Sequence, residues 1–213
     1  MMYKKQRLEL VDNLSNKEIS DELLLRAMSE VEREKFIPRA MRSHAYVDIA
    51  LPIGYGQTIS QPYTIAIMTQ ALEVKTGDKI LEIGTGSGYQ AALLYDMGAK
   101  VFSIERHFEI FNNALKLFDK LSIRVRCKQG DGTLGWDEYA PFDGIIVTAG
   151  SPGIPESLKQ QLAIGGRMVI PVGNKNSQTL KVITNIDNEN YNIEDIPEFA
   201  FVPLIGREGW KDQ

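Results

Sequence analysis

The sequence predicts an α/β fold: a mostly parallel sheet with helices on both faces, preceded by an N-terminal helical extension. Two observations carry that reading. Short apolar runs at residues 80–83, 101–104, 125–129, 142–147 and 167–171 alternate with helical patterns, as βαβ units require. The first run ends in Gly84, Gly86 and Gly88, alternate glycines at a strand-to-helix turn. At 213 residues the chain has room for one such domain and a modest appendage.

From the N-terminus, Leu8, Leu10, Val11 and Leu14 give a first amphipathic helix. Ser20 stands as N-cap of a second, with Asp21 and Glu22 in its first turn and Leu23, Leu24, Ala27 and Val31 on its apolar stripe. Glu30, Glu32, Arg33, Glu34 and Lys35 read as a solvated face, and Phe36 to Pro38 as that helix's end. Residues 51–62 have no clean period; Pro62 then opens a helix whose apolar face is Ile65, Met68 and Leu72. Beyond the glycine loop, helices at 89–97 and 107–121 separate the first three strands. Phe108, Phe111, Leu115 and Phe118 fall at helical spacing, as core residues do. A short helix at 155–162 precedes the strand at 167–171, and final strands at 180–186 and 199–204 lie around a polar turn at 187–190.

Composition narrows the function. A formal net charge of -4 offers no basic field for a nucleic acid. Cys127 is the only cysteine, so an internal disulfide and a multi-cysteine metal site are both excluded; it reads as core filler in its strand. No apolar run approaches the ~20 residues of a membrane span. Lys4, Lys5 and Arg7 resemble the start of a signal segment, but Glu9, Asp12 and Asn13 interrupt the apolar stretch such a segment needs. The expectation is a cytoplasmic protein with no nucleic-acid or membrane partner and no metal.

The glycine spacing separates two kinds of cofactor. A dinucleotide fingerprint would need glycine where this chain has Tyr89. The pattern is acidic-x-G-x-G-x-G with Glu82 on the strand, the form typical of S-adenosylmethionine methyltransferases, hence a Rossmann-like methyltransferase fold. Glu105 ends the next strand, where a carboxylate accepts hydrogen bonds from both ribose hydroxyls. Asp131, between Gly130 and Gly132, stands at the third strand's end and can reach an adenine amino group or simply make a turn. Glu82, Gly84, Gly86, Gly88, Glu105, Asp131 and Gly132 all fall at the sheet edge where open α/β folds bind ligands.

The most unusual stretch is Leu51 to Pro62, with two glycines, two prolines and a run of hydroxyl and amide side chains. Ser60 sits ahead of a helix N-terminus, where a carboxylate is stabilised; it could equally cap that helix. A serine nucleophile is disfavoured, since no G-x-S-x-G elbow surrounds it and only His44 and His107 could serve as imidazole bases. His44 by itself reads as structural or surface.

With these residues in view, the chain resembles the protein-L-isoaspartate O-methyltransferase family over nearly its whole length. The segment from Pro52 to Pro62 matches that family's own signature, and Leu81 to Tyr89 its cofactor loop. Further blocks match at Gly130 to Gly132, Gly165 to Gly173 and Phe201 to Gly206; residues 174–195 are the least family-specific. The resemblance implies methyl esterification of the free carboxylate of L-isoaspartyl residues in damaged proteins and peptides, with D-aspartyl residues accepted by some members. S-adenosyl-L-methionine is the implied donor and S-adenosyl-L-homocysteine the product. Ser60 is implied in the active site, and Ile53, Thr58, Val202, Pro203 and Leu204 around the isoaspartyl backbone. Residues 1–75 then form a helical and substrate-loop region and 76–213 the cofactor-binding core of a single methyltransferase domain, acting as a monomer.

Three alternatives remain at this level. Another carboxylate or small-molecule acceptor is the nearest. Val147-Thr148-Ala149-Gly150 after the fourth strand is not the Asn/Asp-Pro-Pro-Tyr motif of nitrogen methylation. A non-catalytic S-adenosylmethionine sensor is opposed by the intact block from Thr58 to Ser60, and a dehydrogenase by the glycine spacing.

Overall fold

The computed structural model describes residues 2–212. Helices α1 (Met2–Ser15) and α2 (Glu22–Glu30) lead into 3-10 turns at Arg33–Phe36 and Arg39–His44, then a hairpin of β1 (Leu51–Gly54) and β2 (Gln57–Ile59), then α3 (Pro62–Leu72). The core continues as β3 (Lys79–Ile83), α4 (Tyr89–Asp96), β4 (Lys100–Glu105), α5 (Phe108–Leu121), β5 (Arg126–Gln129) and β6 (Phe142–Val147). It ends with α6 (Glu156–Gln160), β7 (Leu162–Gly173), β8 (Gln178–Asn185) and β9 (Tyr191–Phe199).

The seven-stranded sheet runs β5-β4-β3-β6-β7-β8-β9. β3 pairs in parallel with both β4 and β6, β4 with β5, and β6 with β7; β8 and β9 are antiparallel additions. The chain steps outward from β3 to β5 and then returns to β6 on the other side. Connections on opposite sides of β3 diverge, so a crevice opens at the C-terminal ends of β3 and β6.

Side-chain alternation divides the core into two layers, as a period of two demands. Ile80, Val101, Ile146 and Val169 face α3, α4, α5 and the N-terminal helices. Leu81, Phe102, Ile145 and Met168 face the opposite way, toward Leu158 of α6 and the aromatic group of Trp136 and Tyr139. The first face carries the longer helices; the second is closed by short turns and stacked rings, with Phe102 edge-on to Trp136 at 5.9 Å.

Five local expectations change, the first being that Phe108 and Leu115 of α5 are exposed and not core. The N-cap of α2 is Asp21, whose carboxylate accepts from the Leu24 amide at 3.0 Å, and Ser20 lies one residue outside. The helix ends at Glu30, not at Phe36, and Arg33 and Glu34 turn inward instead of forming a solvated face. Residues 51–59 form a two-stranded hairpin, with Gly54, Tyr55 and Gly56 at φ of 98°, 55° and 71° making its tight tip. The last strand is β9, and Pro203 forms only an isolated bridge to Gly150. The Phe201 amide instead donates to the Gln178 side chain, which steers this segment off the sheet and across the crevice.

Gly88 shows what the loop's third glycine is for. At φ 85° it opens α4, and a Cβ there would lie 2.7 Å from the Phe118 ring of α5. Gly88→Ala should therefore lower stability by about 2 kcal/mol or more, from left-handed strain and overpacking together. Urea unfolding measures it; a loss below about 0.5 kcal/mol would show that α5 yields freely.

Candidate active site

Gly84 is the first residue beyond β3, at φ 96°. Its amide donates to the Ile104 carbonyl at 2.8 Å, tying the loop to β4. On the other side the Thr148 hydroxyl lies 3.0 Å from the Ile83 carbonyl and 2.8 Å from that of Gly84, so β6 holds the same turn. A Cβ on Gly84 would collide with that hydroxyl at 2.5 Å. Gly86 is different: the nearest side chain to a Cβ there is Ile53 at 3.8 Å, so its backbone faces open space under the hairpin. Glycine serves close packing at one position and ligand approach at the next.

Glu105 closes the loop from β4. Its Oε2 accepts from the Gly86 amide at 3.0 Å and its Oε1 from the His107 amide at 2.9 Å. The residue is 7% exposed and lines the main cleft, so each oxygen keeps a lone pair for a ligand hydroxyl. The same cleft is walled by Gly84, Gly86, Gly132 and Thr148, by Thr58 of the hairpin, and by Val202, Pro203 and Leu204. That last segment is held by Gly150: its amide donates to the Val202 carbonyl at 2.7 Å, and its carbonyl accepts from the Leu204 amide at 2.8 Å. The Trp210 ring N–H donates to the same carbonyl at 3.0 Å.

An inner pocket continues from this cleft, sharing Thr58, Gly84, Gly86 and Thr148 with it, and is lined by Ser60, Glu82 and Gln90. The Ser60 hydroxyl makes no hydrogen bond among the described residues. α3 is capped instead by Asp48, whose Oδ1 accepts from the Tyr63 amide at 2.8 Å, while Gln61 at the N-cap makes no side-chain bond. The capping alternative for Ser60 therefore fails, and its hydroxyl is left for another partner.

Glu82 is fully buried beneath the loop. Its Oε2 accepts from Ser103 Oγ at 2.5 Å, Ser103 is 2.6 Å from Thr85 Oγ1, and its Oε1 has no partner among the described residues. Burial pushes its pKa up to about 8, with the Ser103 hydroxyl opposing and the Glu105 charge adding to the rise. Cys127, on the edge strand, is held to about 12 by burial first and the Glu82 charge second, which keeps it an unreactive thiol.

Three of the expected site residues line neither pocket: Gly88, Asp131 and Ile53, whose Cδ1 stands instead 3.8 Å from where a Cβ on Gly86 would lie. Gly88 is occupied in helix packing. Asp131 faces a neighbouring hollow with Arg106 and Arg207. Its Oδ1 accepts from the Thr133 amide and hydroxyl at 2.9 and 2.7 Å, and its Oδ2 from the Arg207 amide at 2.7 Å. Burial raises this carboxyl, but those three donors outweigh it and leave the pKa below the ordinary value. Asp131 thus latches the C-terminal segment over the cleft. Thr148 was missed by sequence reasoning, and so was the burial of Arg33. Thr148 comes directly after the strand beside the glycine loop and could have been found from the crevice rule; nothing in its neighbours marks Arg33.

The neutral Glu82 carboxyl has a consequence for stability. Folded, it keeps its proton up to about pH 8; unfolded, it releases it near 4.5. The folded state holds the extra proton between these values, so the contribution of Glu82 to stability is greatest below about 4.5 and falls as pH rises toward 8. One proton gives a slope of at most about 1.4 kcal/mol per pH unit. Glu82→Gln, neutral throughout, should flatten the profile between about pH 5 and 8 in denaturant titrations. An unchanged slope would mean that Glu82 ionises normally.

Residues 5–209 match the family described as protein-L-isoaspartate(D-aspartate) O-methyltransferase. A protein-L-isoaspartate O-methyltransferase of Chlorobium phaeovibrioides is 49% identical over 99% of this chain and 95% of its own length. That of Chlorobium phaeobacteroides is 51% identical over 96% of this chain and 95% of its own. Among solved structures, a protein-L-isoaspartate O-methyltransferase superposes with a TM-score of 0.87 at 30% identity, covering 95% of this chain and 67% of that one. The candidate protein-L-isoaspartate O-methyltransferase of Plasmodium falciparum, solved with S-adenosyl-L-homocysteine, gives 0.81 at 26% identity over 93% and 98%. On its own residues and on these likenesses, the chain belongs to the protein-L-isoaspartate(D-aspartate) O-methyltransferase family.

Proposed function

We propose that this protein transfers a methyl group from S-adenosyl-L-methionine to the free carboxylate of L-isoaspartyl residues in damaged proteins and peptides, with Ser60 orienting the acceptor. One observation carries the reading: Ser60 and Thr58 line a pocket together with Gly84 and Gly86. A donor site and an acceptor site therefore adjoin.

The residues present fit the donor. Gly86 leaves its backbone open to a ligand, and Glu105 presents two carboxylate oxygens at the ribose position. Gly84, Gly132 and Thr148 complete that wall, with Glu82 supporting the loop from below. When bound, the donor supplies an electrophilic methyl group. The chain's own task is orientation. An isoaspartyl carboxylate is already ionised near neutral pH, so no general base is required. Holding it in line is worth effective molarities of about 10⁵ M or more. The Tyr63 amide is committed to Asp48, and the Ser60 hydroxyl is a free donor in the pocket beside the loop among the described residues. Ile53 and Thr58 on the hairpin, and Val202 to Leu204 opposite, flank the peptide backbone. The ester then closes to succinimide off the enzyme and reopens partly to normal aspartate.

The same proposal covers the finer points. Acceptors are isoaspartyl-containing proteins and peptides generally, with D-aspartyl residues a further acceptor, and the chain acts as one methyltransferase domain and as a monomer. Cytoplasmic placement rests on the lone cysteine, which suits a reducing compartment.

Labelled S-adenosylmethionine and two peptides differing only in L-isoaspartate against L-aspartate provide the test. Base-labile label on the isoaspartyl peptide alone is expected; equal labelling of both, or of neither, overturns the acceptor. Ser60→Ala should lower kcat roughly 10–100-fold, as expected for losing a hydrogen bond to a charged group. Full activity there would remove Ser60 from the mechanism. Glu105→Ala should weaken S-adenosylhomocysteine binding by a similar factor in calorimetry; unchanged affinity would place the ribose elsewhere.

A further inference from the structure

Arg33 is fully buried, yet no carboxylate among the described residues pairs with it. Its Nε donates to the Ala45 carbonyl at 2.9 Å and its Nη2 to the Ser60 carbonyl at 2.8 Å. The guanidinium carbon lies 5.0 Å from the centre of the Tyr89 ring, and Nη1 has no partner among the described residues. Tyr89 is itself buried and is the first residue of α4, directly after the glycine loop. One side chain thus touches the N-terminal layer, the residue that follows the acceptor hairpin and the first residue after the donor loop.

Holding a helical turn against Tyr89 needs no charge. Phe36, from the same turn, already packs edge-on against that ring at 5.5 Å. An unpaired buried cation is costly, and an apolar residue of similar size serves packing as well or better. What an apolar side chain lacks is the planar fork: it stacks on a ring with one surface while its in-plane N–H groups reach separate carbonyls. Burial lowers its pKa to about 10, against Tyr89, Tyr46 and Asp48, so the fork stays charged at neutral pH.

We propose that Arg33 is a positioning residue for methyl transfer: by gripping the Ser60 carbonyl while stacked on Tyr89, it fixes the acceptor hydroxyl relative to the glycine loop. This rests on the role of Ser60 proposed for the acceptor site. Arg33 touches neither substrate nor donor and acts through Ser60. Near-attack geometry is sensitive, since a displacement of about 1 Å can lower a rate about 100-fold.

A double-mutant cycle tests it on the full chain with an isoaspartyl peptide. Arg33→Met should lower kcat roughly 10–100-fold, with the S-adenosylhomocysteine dissociation constant within about threefold. In the Ser60→Ala background the same substitution should change kcat by less than about threefold, because the group it positions is gone. A role in folding alone would give losses that multiply, and that result overturns the proposal, as does an unchanged kcat in Arg33→Met. If Ser60→Ala alone is fully active, the proposal also falls, but the failure then lies with Ser60 and is recognisable as such. Should Arg33→Met give no cooperative unfolding transition, the cycle is run with Arg33→Lys. Its charge remains and its ammonium reaches one carbonyl, so an intermediate kcat that still couples to Ser60 is expected; additive losses again overturn it.

Discussion

The backbone's exit from β3 at Gly84 is the constraint on which the rest of the cleft depends. The turn is gripped from both sides, by the Ile104 carbonyl of β4 and by the Thr148 hydroxyl beyond β6. Those strands are the two parallel neighbours of β3, so the grip exists only where the chain reverses its direction of travel across the sheet. A turn held this tightly can leave the next glycine, Gly86, facing open space without collapsing. Preorganisation of that kind reduces the ordering that a ligand would otherwise have to impose.

Around this turn the protein buries polar groups in two different ways. Beneath the loop, Thr85, Ser103 and Glu82 form a short hydroxyl-to-carboxyl relay in which neutralising the carboxyl removes the desolvation penalty. Above it, Arg33 stays charged and unpaired, and the penalty is offset only by two carbonyls and a ring face. The first arrangement supports the loop; the second connects it to the hairpin. Asp131 solves a third problem in the open: its carboxylate, satisfied by amides of two segments distant in sequence, clamps the C-terminal stretch at the mouth.

The sheet was legible because its signals are local. Near-continuous apolar runs at 80–83, 101–104 and 142–147 report both layers at once, and the glycines mark the turn from strand to helix without reference to anything distant. Glu105 was legible for the same reason, since its place at the end of the second strand is set by strand length. The residues that escaped are those whose surroundings come from elsewhere. Arg33 sits in a run of charges that looks solvated, and only the turn at 33–36, folded back on α4, brings it inside. The segment at 199–204 has the apolar composition of a strand but loses its ladder to the Gln178 side chain and the Gly150 backbone.

Sequence by itself thus determined the α/β architecture, the glycine loop with its acid on β4, and the family signature around Ser60, all encoded in spacing along a few contiguous residues. Tertiary structure alone decided that Asp48 caps α3 and frees Ser60, that Thr148 staples the turn, and that Arg33 joins hairpin to loop. Each depends on atoms from separate stretches of the chain meeting within about 3 Å, a coincidence that no local pattern encodes and that only the packed chain creates.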